Sequence, residues 1–184
     1  MPAYHSIFNQ EKFQTYWGIP YLAFNENKSP TLDSTKLKVP LKESNIDIID
    51  EAIMYFRANV LYKNFAIEGD ADKLLVYITV FIQKCLEKAN VPDVNNAKTN
   101  MKKLVDDCEF IPQVENFFNT LVTKNTSQSE LVNLQKYLKT VRKEVVSRLI
   151  NLLFESKETS IDLKYWLGLG KKRFMGYDMP VRRK

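Results

Sequence analysis

The segment GLGKK, at residues 168–172, contains the residue types that bind phosphate in nucleotide-binding loops. In a P-loop, a glycine, four further residues and a Gly-Lys pair are followed by Ser or Thr, whose hydroxyl holds magnesium. If Gly170 and Lys171 are the Gly-Lys pair, Tyr165 occupies the first glycine position and Lys172 replaces the hydroxyl residue. The segment is therefore not a phosphate loop.

Side chains suited to acid–base or nucleophilic chemistry are few. His5 is the single histidine, and no evident partner lies near it in the sequence. Adjacent acids occur at Asp50-Glu51 and Asp106-Asp107, and we interpret both pairs as solvated faces or as partners of helix dipoles. The sequence therefore predicts no enzyme, no catalytic residue and no cofactor.

The two cysteines, Cys85 and Cys108, lie in predicted helices and are typical of small buried hydrophobic residues, not of a disulfide. With one histidine they are too few for a structural zinc site. The N-terminal residues 1–6 lack the basic start and apolar core of a signal peptide. These features predict an intracellular protein in a reducing environment, with no metal.

We predict one all-α domain over residues 1–184, a single bundle of about four to six helices. Hydrophobic residues make up 45% and glycines number only five, which favours a mainly helical fold. A central helix pair is expected within residues 45–89. Its first helix spans about residues 46–62, with Ser44 or Asn45 as the N-cap. Its second helix follows Gly69, with Asp70 as the cap.

The second central segment contains the most apolar run of the chain, residues 74–82. Its β-branched residues favour a buried strand. The cap at Asp70, and Lys84 and Lys88 near the far end, favour a helix. The run is far shorter than the roughly 20 residues that span a bilayer. We predict a helix that is buried on most faces at the centre of a bundle.

Further helices are expected on both sides of an irregular connection over residues 109–125. Asp93 is predicted to cap a third helix, and Ser127 to Glu130 form a capping-box pattern that opens the longest helix, about residues 127–156. The near-heptad spacing of its apolar residues allows a coiled coil, but the wide apolar stripe favours packing in a bundle. A short amphipathic helix is expected at residues 161–167. The expected anchors of the connection are Phe110, Phe117, Phe118 and Leu121.

Residues 45–156 form the predicted helical core, and the two ends of the chain differ from it in composition. Residues 1–44 combine prolines with many aromatic residues, which predicts an extended arm whose rings pack either on this protein's own bundle or on a partner. Residues 157–184 form a basic tail, since from Lys164 onward the chain has seven of its 27 basic residues and one of its 22 acidic residues. Such a tail suits nucleic acid, an anionic membrane or an acidic protein surface.

Several blocks of sequence resemble one known family. They are MPAYHS at residues 1–6, DIIDEAIMYFRANVLYKNFAIEGDADKLLVYI at 47–78, YLKTVRKEVVSRL at 137–149 and KYWLGLGKKRFM at 164–175. In these blocks the chain resembles subunit 3 of the actin-related protein 2/3 complex, a small all-helical subunit. Residues 7–44 and 91–125 and the final PVRRK depart from the family pattern.

The resemblance implies a non-catalytic subunit in the cytoplasm and cytoskeleton. It implies binding to other subunits, chiefly actin-related protein 3, and contact with the actin filament on which a branch is nucleated. It implies no cofactor, because the actin-related subunits bind the ATP, and neither nucleic-acid binding nor membrane insertion. Alternatives are a basic helical nucleic-acid-binding module and an adaptor in another assembly. The predicted partner-binding residues are Tyr4, His5, Trp166, Lys171, Lys172, Arg173, Phe174 and Met175.

Overall fold

The computed structural model describes residues 3–26, 45–108, 118–123, 127–155 and 161–182. This part of the chain is mostly helical, as predicted, with one small antiparallel hairpin of two strands, β1 (Thr15–Tyr16) and β2 (Ile19–Pro20). None of the described helices has the length and hydrophobicity needed to cross a membrane. The α-helices are α1 (Ile48–Asn59), α2 (Asp70–Ala89), α3 (Val94–Asp107), α4 (Phe118–Leu121), α5 (Gln128–Ile150) and α6 (Leu163–Leu169).

Helix α2 is the centre of the bundle. It packs against α1, α3, α5, α6 and strand β2. Every residue from Leu74 to Leu86 is buried, so the apolar run is enclosed on all sides. The hydroxyl of Thr79 donates to the carbonyl of Leu75 at 2.7 Å, which satisfies this polar group inside the core. The predicted helix is confirmed, because tertiary packing outweighs the strand preference of the β-branched residues.

Two of the predicted helix caps are wrong. Helix α1 is capped by Asp47, whose side chain accepts from the N–H groups of Ile49 and Asp50, while Asn45 lies two residues earlier and Ser44 lies outside the described residues. Helix α2 has Gly69 as its N-cap, and Asp70 is already helical and pairs with Lys73. The predicted caps at Asp93 and Ser127 are confirmed.

Helix α5 belongs to the bundle, as predicted. Its heptad-spaced apolar residues from Leu131 to Leu149 are buried within this chain, against α1, α2 and α3. The helix also buries the polar residues Arg142, Glu144 and Arg148, so its buried face is wider than a coiled-coil seam. One π-helical turn, Asn151–Glu155, follows it and closes the described part of this element.

The interpretation of Asp50-Glu51 as a solvated face is wrong, because both side chains are fully buried. Asp50 and Asp47 receive hydrogen bonds from the guanidinium of Arg148 at 2.9 and 2.7 Å, and Glu144 receives another at 2.8 Å. Burial alone would raise the pKa of Asp47, but hydrogen bonding and attraction to Arg148 outweigh it and lower that pKa. This cluster joins α1 to α5.

The described arm packs mainly on this protein's own bundle, which was one of the two alternatives. Ile19 and Leu22 are buried in the core, and the hydroxyl of Tyr137 accepts from the Leu22 N–H and donates to its carbonyl. Phe8, Phe13, Tyr16, Trp17 and Phe24 are partly buried against the core. Tyr4 and Tyr21 remain exposed.

Cys85 and Cys108 are buried and are not joined in a disulfide, as predicted. Burial raises the pKa of both thiols, and that of Cys108 reaches about 12. Both thiols are therefore neutral at physiological pH, which makes them poor nucleophiles.

Candidate partner-binding surface

The first described residues of the arm lie along the C-terminal half of α1. The ring of Tyr4 stacks on the ring of Tyr55, with 4.5 Å between their centroids. The buried side-chain amide of Asn59 accepts from the Tyr4 N–H and donates to the Tyr4 carbonyl, both at 2.9 Å. One side chain thus satisfies both backbone groups of Tyr4, while 39% of the tyrosine remains exposed.

Two buried carboxylates hold the next residues of the arm. Glu51 accepts from the hydroxyl of Ser6 and the N–H of Ile7, each at 2.7 Å. Asp72 accepts from the Ser6 N–H at 2.8 Å, and its other oxygen lies 2.8 Å from Nδ1 of His5. Four hydrogen bonds from three successive residues therefore fix the arm to α1 and α2.

Burial in this attachment changes the pKa of Glu51 and of the neighbouring Tyr55. Burial raises the pKa of Glu51 to about 7, against the opposing hydrogen bonds from Ile7 and Ser6, and the negative charge of Asp72 adds to the increase. Burial and the neighbouring Glu51 also raise the pKa of Tyr55 to about 12. Glu51 therefore changes its charge near neutral pH in the folded protein.

The described part of the tail contains α6, which Asp162 caps by accepting from the Tyr165 N–H. Trp166 faces the bundle and is 2% exposed, and its ring stacks on Phe56 at 5.9 Å. The guanidinium of Arg57 lies over the ring of Trp166, 5.9 Å from its centroid. Helix α6 is thus attached to α1 through one buried aromatic pair.

The segment after α6 is attached just as firmly. Phe174 is 1% exposed, its N–H donates to Oε1 of Gln83 at 2.8 Å, and its ring packs edge-on against Phe65. The N–H of Met175 donates to the carbonyl of Tyr62 at 3.1 Å. The ring of Phe65 also packs against His5, so one aromatic residue links the arm to the tail.

Two grooves meet at Leu61, a residue that follows α1 and is 57% exposed. We call the two grooves together the joint surface. The aromatic groove is lined by Tyr4, Met54, Tyr55, Arg57, Ala58, Leu61, Tyr62 and Tyr165. The basic groove is lined by Val60, Leu61, Lys63, Lys171, Lys172, Arg173, Met175 and Gly176. Residues from opposite ends of the chain therefore form one continuous surface.

The predicted site residues fall into two groups. Tyr4, Lys171, Lys172, Arg173 and Met175 line the joint surface. His5 is partly buried behind Tyr4, where it contacts Asp72 and Phe65.

Trp166 and Phe174 are not part of that surface in this structure, because their rings fill the space between the tail and the bundle. Trp166 and Phe174 therefore hold the tail on the bundle, next to the two grooves. Partner binding itself stays a prediction for all eight residues. Sequence reasoning missed Tyr55 and Leu61. The apolar stripe of the first central helix is formed by Ile49, Ala52, Ile53, Phe56 and Val60. Leu61 lies off this stripe, which is the signal of an exposed apolar residue.

Comparison with known proteins decides the family. Residues 1–179 match the family described as "P21-Arc: ARP2/3 complex ARPC3 (21 kDa) subunit". The chain belongs to this family. The resemblance inferred from the sequence blocks is therefore confirmed, and the family match includes every predicted site residue on the joint surface.

Relatives in this family align over almost their entire lengths. Actin-related protein 2/3 complex subunit 3 of Schizosaccharomyces pombe is 33% identical over 95% of this chain and 98% of its own length. The subunit 3 of Arabidopsis thaliana is 34% identical over 94% of this chain and 96% of its own. That of Dictyostelium discoideum is 30% identical over 94% and 97%.

Proposed function

We propose that this chain is a non-catalytic structural subunit of the actin-related protein 2/3 complex, in the cytoplasm and cytoskeleton, and supports nucleation of branched actin filaments. The names of its relatives support the assembly, since each is called subunit 3 of that complex. The observation that carries the role of this chain is the convergence of arm and tail on the joint surface. Its function is to position neighbours.

The aromatic groove is the part of the joint surface that we assign to the actin-related protein 3 subunit. It exposes Tyr4, Tyr165 and Leu61 together, and Arg57 lies among them. Tyrosine and arginine are enriched at protein interfaces, where large rigid side chains contribute most of the binding free energy. Because the buried amide of Asn59 fixes the backbone of Tyr4 and the ring of Tyr55 stacks on Tyr4, this side of the groove is a preformed surface for a partner.

The basic groove is the part that we assign to acidic surfaces of the assembly, including the mother filament. Lys171 and Lys172 are exposed, whereas Arg173 is already paired with Glu87 at 3.2 Å. Exposed charges at the edge of an interface accelerate association and select complementary partners more than they add affinity. The two lysines are therefore expected to act on the rate and specificity of assembly.

A charge reversal tests this assignment. We expect the double variant Lys171→Glu with Lys172→Glu to reduce incorporation of the tagged chain into the complex several-fold. The two glutamates would place negative charge in the basic groove, which would repel an acidic partner. The matched control is Lys102→Glu with Lys103→Glu, an adjacent exposed pair on α3 that carries the same charge change. Incorporation is measured by co-purification with actin-related protein 3. Equal incorporation of both double variants would contradict the role of the basic groove.

A further inference from the structure

The attachment of the arm contains two acids and, among the described residues, no lysine or arginine paired with either of them. Glu51 and Asp72 are both fully buried, and the charge of Asp72 acts on Glu51. The other titratable groups that face this pair are Tyr55 beside Glu51, His5 beside Asp72, and Glu68, whose carboxylate lies 3.4 Å from Nε2 of His5. Two buried negative charges without a permanent cation are costly.

A proton on Glu51 removes one of these two charges, and with it their repulsion, without breaking the attachment. Protonated Glu51 can still accept from the Ile7 N–H through one oxygen and can donate its own proton to the hydroxyl oxygen of Ser6. Ionised Glu51 keeps its two acceptors but places a second charge beside Asp72 in a buried site. Opening of the arm hydrates both carboxylates, so ionisation favours the open state.

We propose that docking of the N-terminal arm is linked to one proton on Glu51, and that loss of this proton loosens residues 5–7 and the Tyr4 side of the joint surface. Glu51 and Asp72 are thus positioning residues for the aromatic groove. The consequence for partner binding rests on the proposed function, whereas the linkage itself belongs to this chain alone.

The sign of the effect follows from the raised pKa. Glu51 ionises near its usual value of 4.5 when the arm is open and at about 7 when the arm is docked. Between these values the docked state binds more protons than the open state, so the opening equilibrium increases as the pH rises. With these two values, the opening constant increases roughly tenfold between pH 6 and pH 8.

Hydrogen exchange of the arm amides in the full-length chain tests the proposal. The N–H groups of Ser6 and Ile7 donate to the two carboxylates, so their protection reports the docked state directly. After correction for intrinsic exchange, we expect protection to fall roughly tenfold from pH 6 to pH 8. In Glu51→Gln, whose amide reproduces the hydrogen bonds of the protonated acid, protection should change less than twofold.

Two further variants assign the proton. Glu68→Gln removes the exposed carboxylate beside His5, and the protection of the arm amides should depend on pH as it does in the unmodified chain. His5→Gln removes the imidazole, and most of this pH dependence should remain. A protection that does not vary with pH in the unmodified chain would overturn the proposal, as would a dependence lost in His5→Gln and kept in Glu51→Gln. Because no partner is present, this result is independent of the proposed assembly role.

Discussion

At the residue scale, the most consequential side chain is Arg148. It is fully buried, and its guanidinium contacts Asp47, Asp50 and Glu144 and donates to the carbonyl of Asn25 at 2.7 Å. Burial alone would lower the pKa of this guanidinium, but Asp47 and Glu144 raise it further above its already high value. Arg148 is therefore a permanent cation that holds α1, α5 and the end of the described arm together.

Removal of Arg148 is expected to destabilise the fold strongly. In Arg148→Met the volume is largely kept, but Asp47, Asp50 and Glu144 lose their cation inside the protein, which costs about 3–5 kcal/mol of unfolding free energy. Urea denaturation followed by circular dichroism measures this loss. The control is Lys139→Met, which breaks an exposed pair with Asp106 and should cost less than about 1 kcal/mol. Equal losses in both variants would contradict the structural role of the cluster.

The contacts of Arg148 also show why the solvated face, one of the two interpretations of the acids of α1, is wrong. The other interpretation agrees with their position, because both acids lie in the first turn of the helix. Asp50-Glu51 resembles a solvated helix face because adjacent acids are usually exposed. Their partners are Arg148, about a hundred residues later, and Ser6 and Ile7 in the arm. Local spacing cannot indicate such distant pairs, whereas the local cap signals at Asp93 and Ser127 are correct because each cap bonds within its own first turn.

At the element scale, α6 depends on a glycine for its approach to α2. A Cβ at Gly170 would lie 2.5 Å from the backbone nitrogen of Glu87 and 2.7 Å from the carbonyl carbon of Leu86. Gly168 lies inside α6, whereas Gly170 is its C-cap, and a Cβ at Gly168 would have no neighbouring atom within 4 Å. The glycines that resemble part of a phosphate loop therefore have different roles, and that of Gly170 is close helix packing.

These two glycines provide a matched pair of substitutions. Gly170→Ala should destabilise the protein by about 1–3 kcal/mol, because backbone atoms of α2 must move to admit the methyl group. Gly168→Ala should leave stability unchanged or increase it by up to about 1 kcal/mol, because alanine is the better helix former at an open position. Thermal unfolding of both variants measures the difference. A Gly170→Ala protein as stable as Gly168→Ala would show that α6 does not approach α2 this closely.

The spacing of apolar residues along the sequence predicted the main helices correctly. The caps at Asp93 and Ser127, the central buried helix and the long bundle helix α5 all follow from spacing and cap residues. The hairpin β1–β2 was not predicted, because strands of two residues have no periodicity to detect. The predicted connection anchors Phe118 and Leu121 are buried, whereas Phe110 and Phe117 lie outside the described residues.

At the scale of the whole molecule, the described arm and tail form one surface together. The sequence predicted contacts at Tyr4 and at Lys171 to Met175 separately, but not that Leu61 joins them in one surface. That juxtaposition depends on the packing of the arm on α1 and of the tail beside it, through Phe65. It is a tertiary property, which residue spacing cannot reveal.

In the proposed function, this chain occupies the subunit 3 position of the actin-related protein 2/3 complex. The most direct test is purification of the tagged full-length chain from its native lysate at moderate salt, followed by mass spectrometry of the stoichiometric partners. The proposed function predicts recovery of two actin-related proteins with the other small subunits. Recovery of a different stoichiometric set of proteins, or of nucleic acid in their place, would contradict it.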